Sequence, residues 1–406
     1  MPSKDVKDDA PLPKIGWGGR LFLLAFSFLF FAFLLEVGTR LVMYVKEGFN
    51  PFYLTYGIVA NTEWHSNSAK GYTKYQPNST LHQRYHGATI AMKMNSDGFR
   101  GLANITKPKP AGVFRIVTLG ESSTFGYNVQ DNETYAYQLQ TYLRAQHPDR
   151  TIEVCNLGIP HIRMENILAM AKAELPAIQP DVVTLYAGYN NALLATSYEK
   201  SSFLVRAKNW IHFHSVAWST VHDAIRNRYY AMTKAVKRDV LGLPHLGVPI
   251  EIGPDQVASI RESRIKEYDA DVERLADFLA SKHIGLVLVR QTMSLRPLAQ
   301  AFADSVRTYP QEVGRVLALA AANQGRMPAL HCLLLVDNDL MNTLPPIAAA
   351  RHLPLVDGIA VLDQGRGDNM SSYVHLTPIG NKRLAEAIGG AIDSTYLGAP
   401  APAAAK

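Results

Sequence analysis

From residue 114 onward, short apolar runs alternate with longer amphipathic segments, and this alternation constrains the fold most. Helical periodicity predicts helices over 134–147 and 255–282 and a closing helix over 381–392. Strands that alternate with helices form parallel sheets, because each crossover helix returns the chain to the same edge. We therefore expect a three-layer α/β/α domain with a five-stranded, mainly parallel sheet. The apolar runs that predict its strands are 114–119, 151–154, 181–186, 284–289 and 353–356.

The first predicted strand ends directly in a glycine-bounded turn that contains Ser122. Open α/β sheets bind their ligands at the carboxyl ends of the strands, so a serine there is well placed to act as a nucleophile. A Ser/Thr/Gly-rich loop that only caps the next helix has the same composition. The turn by itself leaves both interpretations open. Its sequence is Gly120-Glu121-Ser122-Ser123-Thr124-Phe125-Gly126.

A serine nucleophile needs a base, and acyl transfer needs hydrogen-bond donors aimed at the developing oxyanion. Three later segments offer these groups. Gly158 follows the second predicted strand and can present a backbone N–H, and Asn190 follows the third and can present a side-chain amide. His375 stands just before the closing helix. A parallel sheet would gather all of these segments along one edge.

These segments resemble the four sequence blocks of the SGNH (GDSL-like) hydrolases. The resemblance covers roughly residues 95–393 and implies a flavodoxin-like sheet. It implies that Ser122 is the nucleophile and His375 the base. The oxyanion hole would consist of the N–H groups of Ser122 and Gly158 and the side chain of Asn190. The matching blocks are Gly120-Glu121-Ser122, Gly158, Gly188-Tyr189-Asn190 and the segment that ends at His375.

The chain departs from that family pattern at two positions. Glu121 stands where the family has Asp beside the nucleophile, which keeps the charge. Ser372 stands three residues before His375, where the family has the acid that orients the imidazole. Asp368 could fold back to replace this acid, and Asp363 is a more distant candidate. Otherwise a main-chain carbonyl or Ser372 itself would hold the ring and leave a Ser-His dyad.

The α/β-hydrolase nucleophile elbow is the common alternative setting for a catalytic serine. That motif requires glycine two residues after the serine, and Thr124 occupies this position. The elbow is therefore excluded.

An N-terminal apolar run predicts a membrane anchor. Leu21–Leu35 is uninterrupted, and its flanks extend the candidate span to residues 21–45. No small-x-small cleavage site follows the run, which favours an uncleaved anchor over a signal peptide. The anchor and the stretch 95–101 also resemble membrane-tethered bacterial members of the family. Four cations precede the run, so residues 1–20 are expected in the cytoplasm and the rest outside the inner membrane, in the periplasm or an equivalent extracytoplasmic space. These cations are Lys4, Lys7, Lys14 and Arg20.

The charge, cysteine and histidine content limits the binding partners, disulfides and metal sites that are expected. The net charge is +6, but no dense Lys/Arg run with interleaved aromatics occurs, so no nucleic-acid partner is expected. An anionic membrane or polymer suits the mild positive charge better. Cys155 and Cys332 lie in apolar, strand-like runs and would be either a disulfide or two buried thiols. We expect no metal or cofactor, since the histidines at 212, 214 and 222 lack a carboxylate or cysteine cluster.

The remaining segments complete the domain plan. We expect residues 46–112 to form a loop-rich lead-in and residues 113–395 to form the hydrolase-like domain. A disordered tail is expected over 396–406. An insertion over 192–254 is rich in aromatic and basic residues. It would form amphipathic helices that cover the sheet edge, or a lid or membrane-facing platform.

Three functions are compatible with this plan. The first is a membrane-anchored extracytoplasmic serine esterase that acts on an ester-bearing small molecule, lipid or glycan. The second is an O-acyltransferase that acts on an envelope or secreted polysaccharide. The third is a carbohydrate-binding module on a degenerate hydrolase fold, for which the serine at 372 is the motive.

Overall fold

The computed structural model describes residues 16–47, 64–67, 71–75, 77–85, 88–193, 211, 215–218, 220–222, 225, 251–295 and 307–398. These residues fall into two compact units. One contains the N-terminal helix and residues 211–225, and the other contains the remaining residues from 64 onward. The chain before residue 16, most of the expected insertion 192–254 and the tail after residue 398 lie outside the described residues.

The first unit is built on helix α1 (Trp17–Glu47), which includes the predicted anchor at 21–45. Its segment Trp17–Val42 has a mean hydropathy of 2.4 and is long and apolar enough to cross a membrane. None of its most apolar stretch is buried inside the protein. A membrane span and a signal sequence both have this composition, and either would take the apolar faces of α1 out of water.

The second unit begins with two β-hairpins in the segment predicted to be loop-rich. Strand β1 (Trp64–Asn67) pairs with β2 (Tyr72–Tyr75), and β3 (Thr80–Tyr85) pairs with β4 (Ala88–Lys93), both antiparallel. The sequence prediction missed these strands because their apolar alternation is short and interrupted by charged residues. Their apolar side chains form a small core with the turn that contains Ser122, through Phe125. This core consists of Tyr75, Leu81, Ile90, Met92, Met94 and Phe125.

A five-stranded parallel sheet forms the centre of the second unit and confirms the predicted fold class. Its strands are β5 (Val113–Gly120), β6 (Thr151–Gly158), β7 (Val182–Tyr186), β9 (Gly285–Val289) and β11 (Leu355–Val356). Strands β8 (Glu251–Ile252) and β10 (Met327–Pro328) form a separate antiparallel pair. The sheet order is β11-β9-β7-β5-β6. The winding direction reverses between β5 and β7, which is where doubly wound sheets open a crevice for ligands.

Helices cover both faces of this sheet. In chain order they are α2 (Ser122–Phe125), α3 (Tyr135–Gln146), α4 (Met164–Ile178), α5 (Tyr189–Ala192), α6 (Pro254–Ser281), α7 (Tyr309–Ala322), α8 (Ala329–Arg351), α9 (Gly358–Asp363), α10 (Arg366–Asn369) and α11 (Pro378–Ile392).

The period-two alternation of the strands divides the core into two layers. Val117 and Leu119 of β5 pack on the face covered by α4, α6 and α8, whereas Ile116 packs on the face covered by α3 and α11. Strands β7 and β9 divide their side chains in the same way. Because both faces are buried, the strands carry continuous apolar runs, which is why the sequence revealed them.

Three details differ from the sequence prediction. Cys332 lies in α8 and not in a strand, and both cysteines are free and buried, so the disulfide alternative is wrong. Helices α7 and α8 occupy a region for which no element was predicted. Two residues at the start of the expected tail pack on the domain, since the Tyr396 hydroxyl donates to the Leu286 carbonyl (3.3 Å) and Leu397 is buried.

Candidate active site

Ser122 lies at the carboxyl edge of the central strand β5. The strand ends at Gly120, which pairs with Gly158 of β6 on one side and with Tyr186 of β7 on the other. Ser122 is the first residue of the short helix α2, and Gly126 follows the helix in the left-handed conformation (φ 89°). The N–H of Ser122 has no acceptor within its helix, as is general for the first turn. The serine therefore presents both a hydroxyl and a backbone donor at this edge.

The isolated glycine at 158 is required by the close approach of the Ser122 turn. A Cβ at this position would lie 2.2 Å from the backbone nitrogen of Phe125 and 2.6 Å from the carbonyl carbon of Thr124. Any side chain would therefore push the turn away from β6. This contact gives the Gly158 block a steric reason that does not depend on hydrogen bonding.

His375 reaches Ser122 from the loop between α10 and α11. Its Nε2 lies 2.9 Å from the Ser122 Oγ. An antiparallel bridge between Met370 and Leu376 closes this loop, and the Ser123 hydroxyl donates to the Val374 carbonyl (2.9 Å). The two segments of the site are thus tied together beside the reacting pair. The structure brings Ser122 and His375 within hydrogen-bond distance, as the sequence predicted.

The second ring nitrogen of His375 faces Ser372. The Ser372 Oγ lies 2.8 Å from Nδ1 and also accepts the backbone N–H of His375 (3.2 Å). With Nε2 accepting from Ser122, the proton resides on Nδ1 and Ser372 accepts it. The expected alternative in which Ser372 itself holds the ring is therefore the observed geometry.

The expected contact of Asp368 with the imidazole is not formed. Asp368 is exposed on α10, and its backbone carbonyl accepts the hydroxyl of Thr377 (2.5 Å). The more distant candidate, Asp363, accepts the backbone N–H of Tyr309 (2.9 Å) and the guanidinium of Arg366 (2.5 Å). The loop turns so tightly that the residue three before the histidine, and not the one seven before it, reaches the ring.

Burial without a carboxylate partner determines the ionisation of His375. Desolvation lowers the pKa of His375 to about 4, with a smaller contribution from His161. A carboxylate at Nδ1 would act in the opposite direction, because it stabilises the imidazolium. The imidazole is therefore neutral, and able to accept a proton, throughout the physiological pH range.

Asn190 lies at the start of α5, on the other side of the site. One N–H of its side-chain amide donates to the Ile162 carbonyl (2.8 Å), which fixes the orientation of the amide. The second N–H of the amide is the one able to serve an oxyanion. Gly188, which precedes α5, has a φ of 153°, a conformation that disfavours a side chain. This glycine lets the chain turn from β7 directly into the Asn190 segment.

The N–H of Gly158 is engaged, contrary to the sequence expectation of a free oxyanion donor. It donates to the side-chain oxygen of Asn156 (2.9 Å), while the amide nitrogen of Asn156 donates to the Thr124 carbonyl (2.9 Å). Asn156 thereby connects the end of β6 to the turn after Ser122. Sequence reasoning assigned no role to this residue, although it stands two positions before Gly158.

Glu121 is hydrogen-bonded to the backbone of the segment that contains Asn190. Its buried carboxyl accepts the backbone N–H groups of Gly188 and Asn190, each at 3.2 Å. Burial nevertheless raises the pKa of Glu121 to about 8, which these hydrogen bonds only partly offset. The carboxyl is therefore predominantly protonated at pH 7.

Arg100 is a further supporting residue that sequence reasoning did not single out. Its buried guanidinium donates to the carbonyls of Phe125 (3.0 Å), Gly126 and Val129 (2.7 Å) and pairs with Asp131 (3.0 Å). The sequence indicated this residue only through its position in the stretch 95–101, which resembles membrane-tethered members of the family. The guanidinium fixes the backbone immediately after the Ser122 turn.

The described residues contain no cluster of three or more histidine, cysteine or carboxylate side chains able to hold a metal ion. The groups that meet at this edge are therefore a serine, a neutral histidine and amide donors. Such a set suits nucleophilic acyl transfer.

Several solved structures are similar to this chain. A lipase/acylhydrolase from Enterococcus faecalis is 14% identical, with 69% of this chain and 96% of that one covered and a TM-score of 0.38. An acetylxylan esterase from Geobacillus stearothermophilus is also 14% identical, with 69% and 94% covered and a TM-score of 0.38. A lipolytic protein of the G-D-S-L family from Desulfitobacterium hafniense is 12% identical, with 68% and 98% covered and a TM-score of 0.36. No curated protein sequence matches the chain.

The family comparison covers the first three blocks of the site. Residues 118–306 match the model of the GDSL-like lipase/acylhydrolase family. This range includes Ser122, Gly158 and Asn190 and ends before His375. Residues 118–306 are therefore similar to the GDSL-like lipase/acylhydrolase family.

Proposed function

We propose that this protein is a membrane-anchored serine esterase that acts outside the cytoplasmic membrane. The observation that carries the proposal is the 2.9 Å contact between the Ser122 hydroxyl and His375 Nε2 at the carboxyl edge of a GDSL-like domain. The substrate is an ester-bearing small molecule, lipid or glycan, and the site needs no metal or cofactor for this chemistry.

In the proposed mechanism Ser122 attacks the ester carbonyl while His375 accepts the hydroxyl proton at Nε2. The oxyanion receives hydrogen bonds from the Ser122 N–H and from the second amide N–H of Asn190. His375 returns its proton to the leaving alkoxide. Water then attacks the acyl-enzyme with His375 again acting as base, which releases the acid and restores Ser122.

The role of Ser372 follows from its neutrality. Its hydroxyl accepts the Nδ1 proton and holds the ring in the orientation that the reaction needs. It does not balance the positive charge that forms on the imidazole during the reaction, as an aspartate would. We therefore assign Ser372 an orienting role only, and we assign none to Asp368.

Gly158 is assigned a secondary role in the oxyanion hole. In the free enzyme its N–H donates to the side-chain oxygen of Asn156. It donates to the oxyanion only if it forms both hydrogen bonds at once. Its main contribution is steric, since it permits the close approach of the Ser122 turn.

Membrane attachment rests on α1. Its apolar segment Trp17–Val42 is about 39 Å long at 1.5 Å per residue, which exceeds the roughly 30 Å of a bilayer core. The cations before it favour a cytoplasmic N-terminus and an extracytoplasmic catalytic domain. Carbonate washing of membranes that contain the full chain tests the attachment, and release of the protein into the wash would contradict it.

Hydrolysis of short-chain aryl esters by the detergent-solubilised full chain tests the activity. We expect Ser122→Ala to abolish turnover and labelling by a fluorophosphonate probe. Ser281→Ala, an exposed serine at the end of α6, is the matched control and should retain both. Full activity in Ser122→Ala would remove the assigned nucleophile, and absence of labelling in the unmodified chain would favour the non-catalytic binding module.

O-acyl transfer to an envelope or secreted polysaccharide is the second candidate. The net charge of +6 and the apolar N-terminal helix suit an anionic polymer near a membrane. Both functions use the same acyl-enzyme and differ only in the acceptor that resolves it. Incubation with an acyl donor and glycan acceptors separates them, because a transferase yields acylated glycan and an esterase yields only free acid.

A further inference from the structure

A short segment that begins at Ser215 is hydrogen-bonded directly to α1. Residues 216–218, 220–222 and 225 are helical, and we call them the insertion helix. Ser215 caps it, since the Ser215 hydroxyl oxygen accepts the N–H of Trp218 (3.0 Å). Both elements belong to the same compact unit.

Glu36 of α1 is the residue to which the insertion helix is bonded. Its carboxylate accepts the N–H groups of Val216 (2.9 Å) and Ala217 (3.0 Å) and the hydroxyl of Ser215 (2.8 Å). It also pairs with Arg40 (2.6 Å) on the next turn of α1. A carboxylate beside the first N–H groups of a helix satisfies donors that otherwise lack partners. The start of the insertion helix is thus fixed against one turn of α1.

The position of Glu36 sets the height of the insertion helix relative to a bilayer. Glu36 precedes Val42, the end of the apolar segment, by six residues, or about 9 Å of helix. A segment about 39 Å long centred in a roughly 30 Å core places Glu36 about 5 Å inside the outer boundary of that core. An unpaired carboxylate there would be costly. The hydrogen bonds from the insertion helix and the ion pair with Arg40 offset part of that cost.

The insertion helix is buried where it begins and exposed further along. Val216 and Ala217, next to Glu36, are buried. Trp218, Val221 and Ile225 are exposed by 44%, 46% and 65%, so this part of the segment presents three large apolar side chains at the surface. Tryptophan favours the boundary between headgroups and acyl chains. Basic residues flank the segment in the sequence, as on helices that bind anionic lipid surfaces, and they are Arg206, Lys208, Arg226 and Arg228.

We propose that the insertion helix lies in the outer interface of the membrane, with Trp218, Val221 and Ile225 against the lipid. This inference rests on the proposed spanning role of α1 and adds a second point of membrane attachment. Of the two interpretations of the insertion, it favours the membrane-facing platform over a cover for the sheet edge.

Lipid contact can be measured with a fluorophore on Ile225→Cys in the full chain, reconstituted into vesicles of phosphatidylcholine with phosphatidylglycerol. Cys155 and Cys332 are buried and remain in place, and the unsubstituted chain reports background labelling. Leu317→Cys is the matched control, because Leu317 is an exposed apolar residue on α7. Brominated acyl chains should quench the label at 225 at least about threefold more strongly than the label at 317.

A second variant tests whether the apolar face causes the contact. Trp218→Ser with Val221→Ser, combined with the label at 225, should reduce quenching to the level of the 317 control while esterase activity is retained. Quenching that persists in this variant, or equal quenching at 225 and 317, would overturn the proposal. A label shielded from aqueous iodide but not quenched by bromolipid would also overturn it, because a second protein copy would then cover the face.

Failure of the proposed membrane anchor can be distinguished from failure of this inference. If carbonate releases the full chain from the vesicles, α1 does not span the membrane, and the inference fails with it. If the chain resists carbonate and the 225 label is unquenched, the anchor stands and the inference alone is wrong. Neither outcome depends on esterase activity.

Discussion

The two sides of Ser122 are supported by different chemistry. On the Asn190 side, the buried Glu121 carboxyl accepts backbone N–H groups of the segment that we propose binds the oxyanion. On the His375 side, the supporting group is the uncharged hydroxyl of Ser372. An ionisable group therefore supports the segment that binds the oxyanion, and the base is oriented by a neutral one. Ser372 fills the orienting role of a triad aspartate but not its role in charge compensation.

This difference makes the two sides respond to opposite ends of the pH scale. Because the pKa of His375 is lowered to about 4, the base is protonated and lost only in acid. Because the pKa of Glu121 is raised to about 8, a negative charge develops beneath Asn190 only in mild alkali. We expect kcat/KM to be level between these values and to fall on both sides. A pH profile with an acid limb near 6.5, the ordinary histidine value, would contradict the assigned environment of His375.

The largest effect is expected from removing the base. His375→Ala should lower kcat by about 10⁴-fold, because the serine hydroxyl then has no proton acceptor and only binding and oxyanion contacts remain. Steady-state hydrolysis of an aryl ester measures the loss. His82→Ala, an exposed histidine on β3, is the control and should be unchanged. A comparable loss in both variants would point to a folding effect and not to chemistry.

The next effect tests the oxyanion-binding side. Asn190→Asp keeps the size of the side chain but removes its N–H donors, and kcat should fall by about 10²–10³-fold with a smaller change in KM. The lost hydrogen bond to the Ile162 carbonyl also affects packing, so thermal unfolding is measured in parallel. A rise in KM with unchanged kcat would mean that Asn190 binds the substrate and does not stabilise the transition state.

The Ser372 hydroxyl is expected to contribute less than either residue. Ser372→Ala should lower kcat/KM by about tenfold, since a positioned neutral hydrogen bond contributes about 1–1.5 kcal/mol. Ser372→Asp should raise the pKa of His375 and move the acid limb of the pH profile upward by about 1–3 units. Asp368→Asn is the matched control. An effect of Asp368→Asn as large as that of Ser372→Ala would restore Asp368 as the group that orients the ring.

The sequence predicted the fold well where apolar runs were long and buried on both faces. Strands β5, β7 and β9 all appear as such runs, and their carboxyl ends identified the site. Helix α8 escaped prediction because it is apolar on several faces and contains Pro345 and Pro346, which argue against a helix. The hairpins escaped because each strand is only four to six residues long and mixed in polarity.

Within the site, the sequence predicted that Ser122 and His375 meet, but not which residue orients the ring or how the hydrogen bonds are distributed. The pairing of Ser122 with His375 followed from the order of the blocks on a parallel sheet. The choice of Ser372 over Asp368 depends on the tight path of a loop closed by Met370 and Leu376, which sequence spacing does not encode. Likewise, nothing in the order of residues shows that the Asn156 side chain folds back onto the Gly158 N–H.

The smallest expected effect on activity comes from Glu121, and it separates the two sides most cleanly. At pH 7 the wild-type carboxyl is predominantly neutral, so Glu121→Gln should hydrolyse aryl esters within about threefold of wild type, because it keeps an acceptor for the two N–H groups. Above pH 8 the wild type should lose activity and the variant should not. Glu121→Ala, which leaves both N–H groups without their acceptor, should lose about tenfold at every pH.

The raised pKa of Glu121 should also make the stability of the folded protein decrease as pH rises. A carboxyl whose pKa is raised on folding binds a proton in the folded state between pH 4.5 and about 8, where the unfolded chain has released it. This group therefore makes the folded state progressively less stable as pH rises through that window. The unfolding temperature of wild type should fall relative to that of Glu121→Gln between pH 5 and 8, and parallel curves for the two proteins would show that Glu121 is ionised throughout.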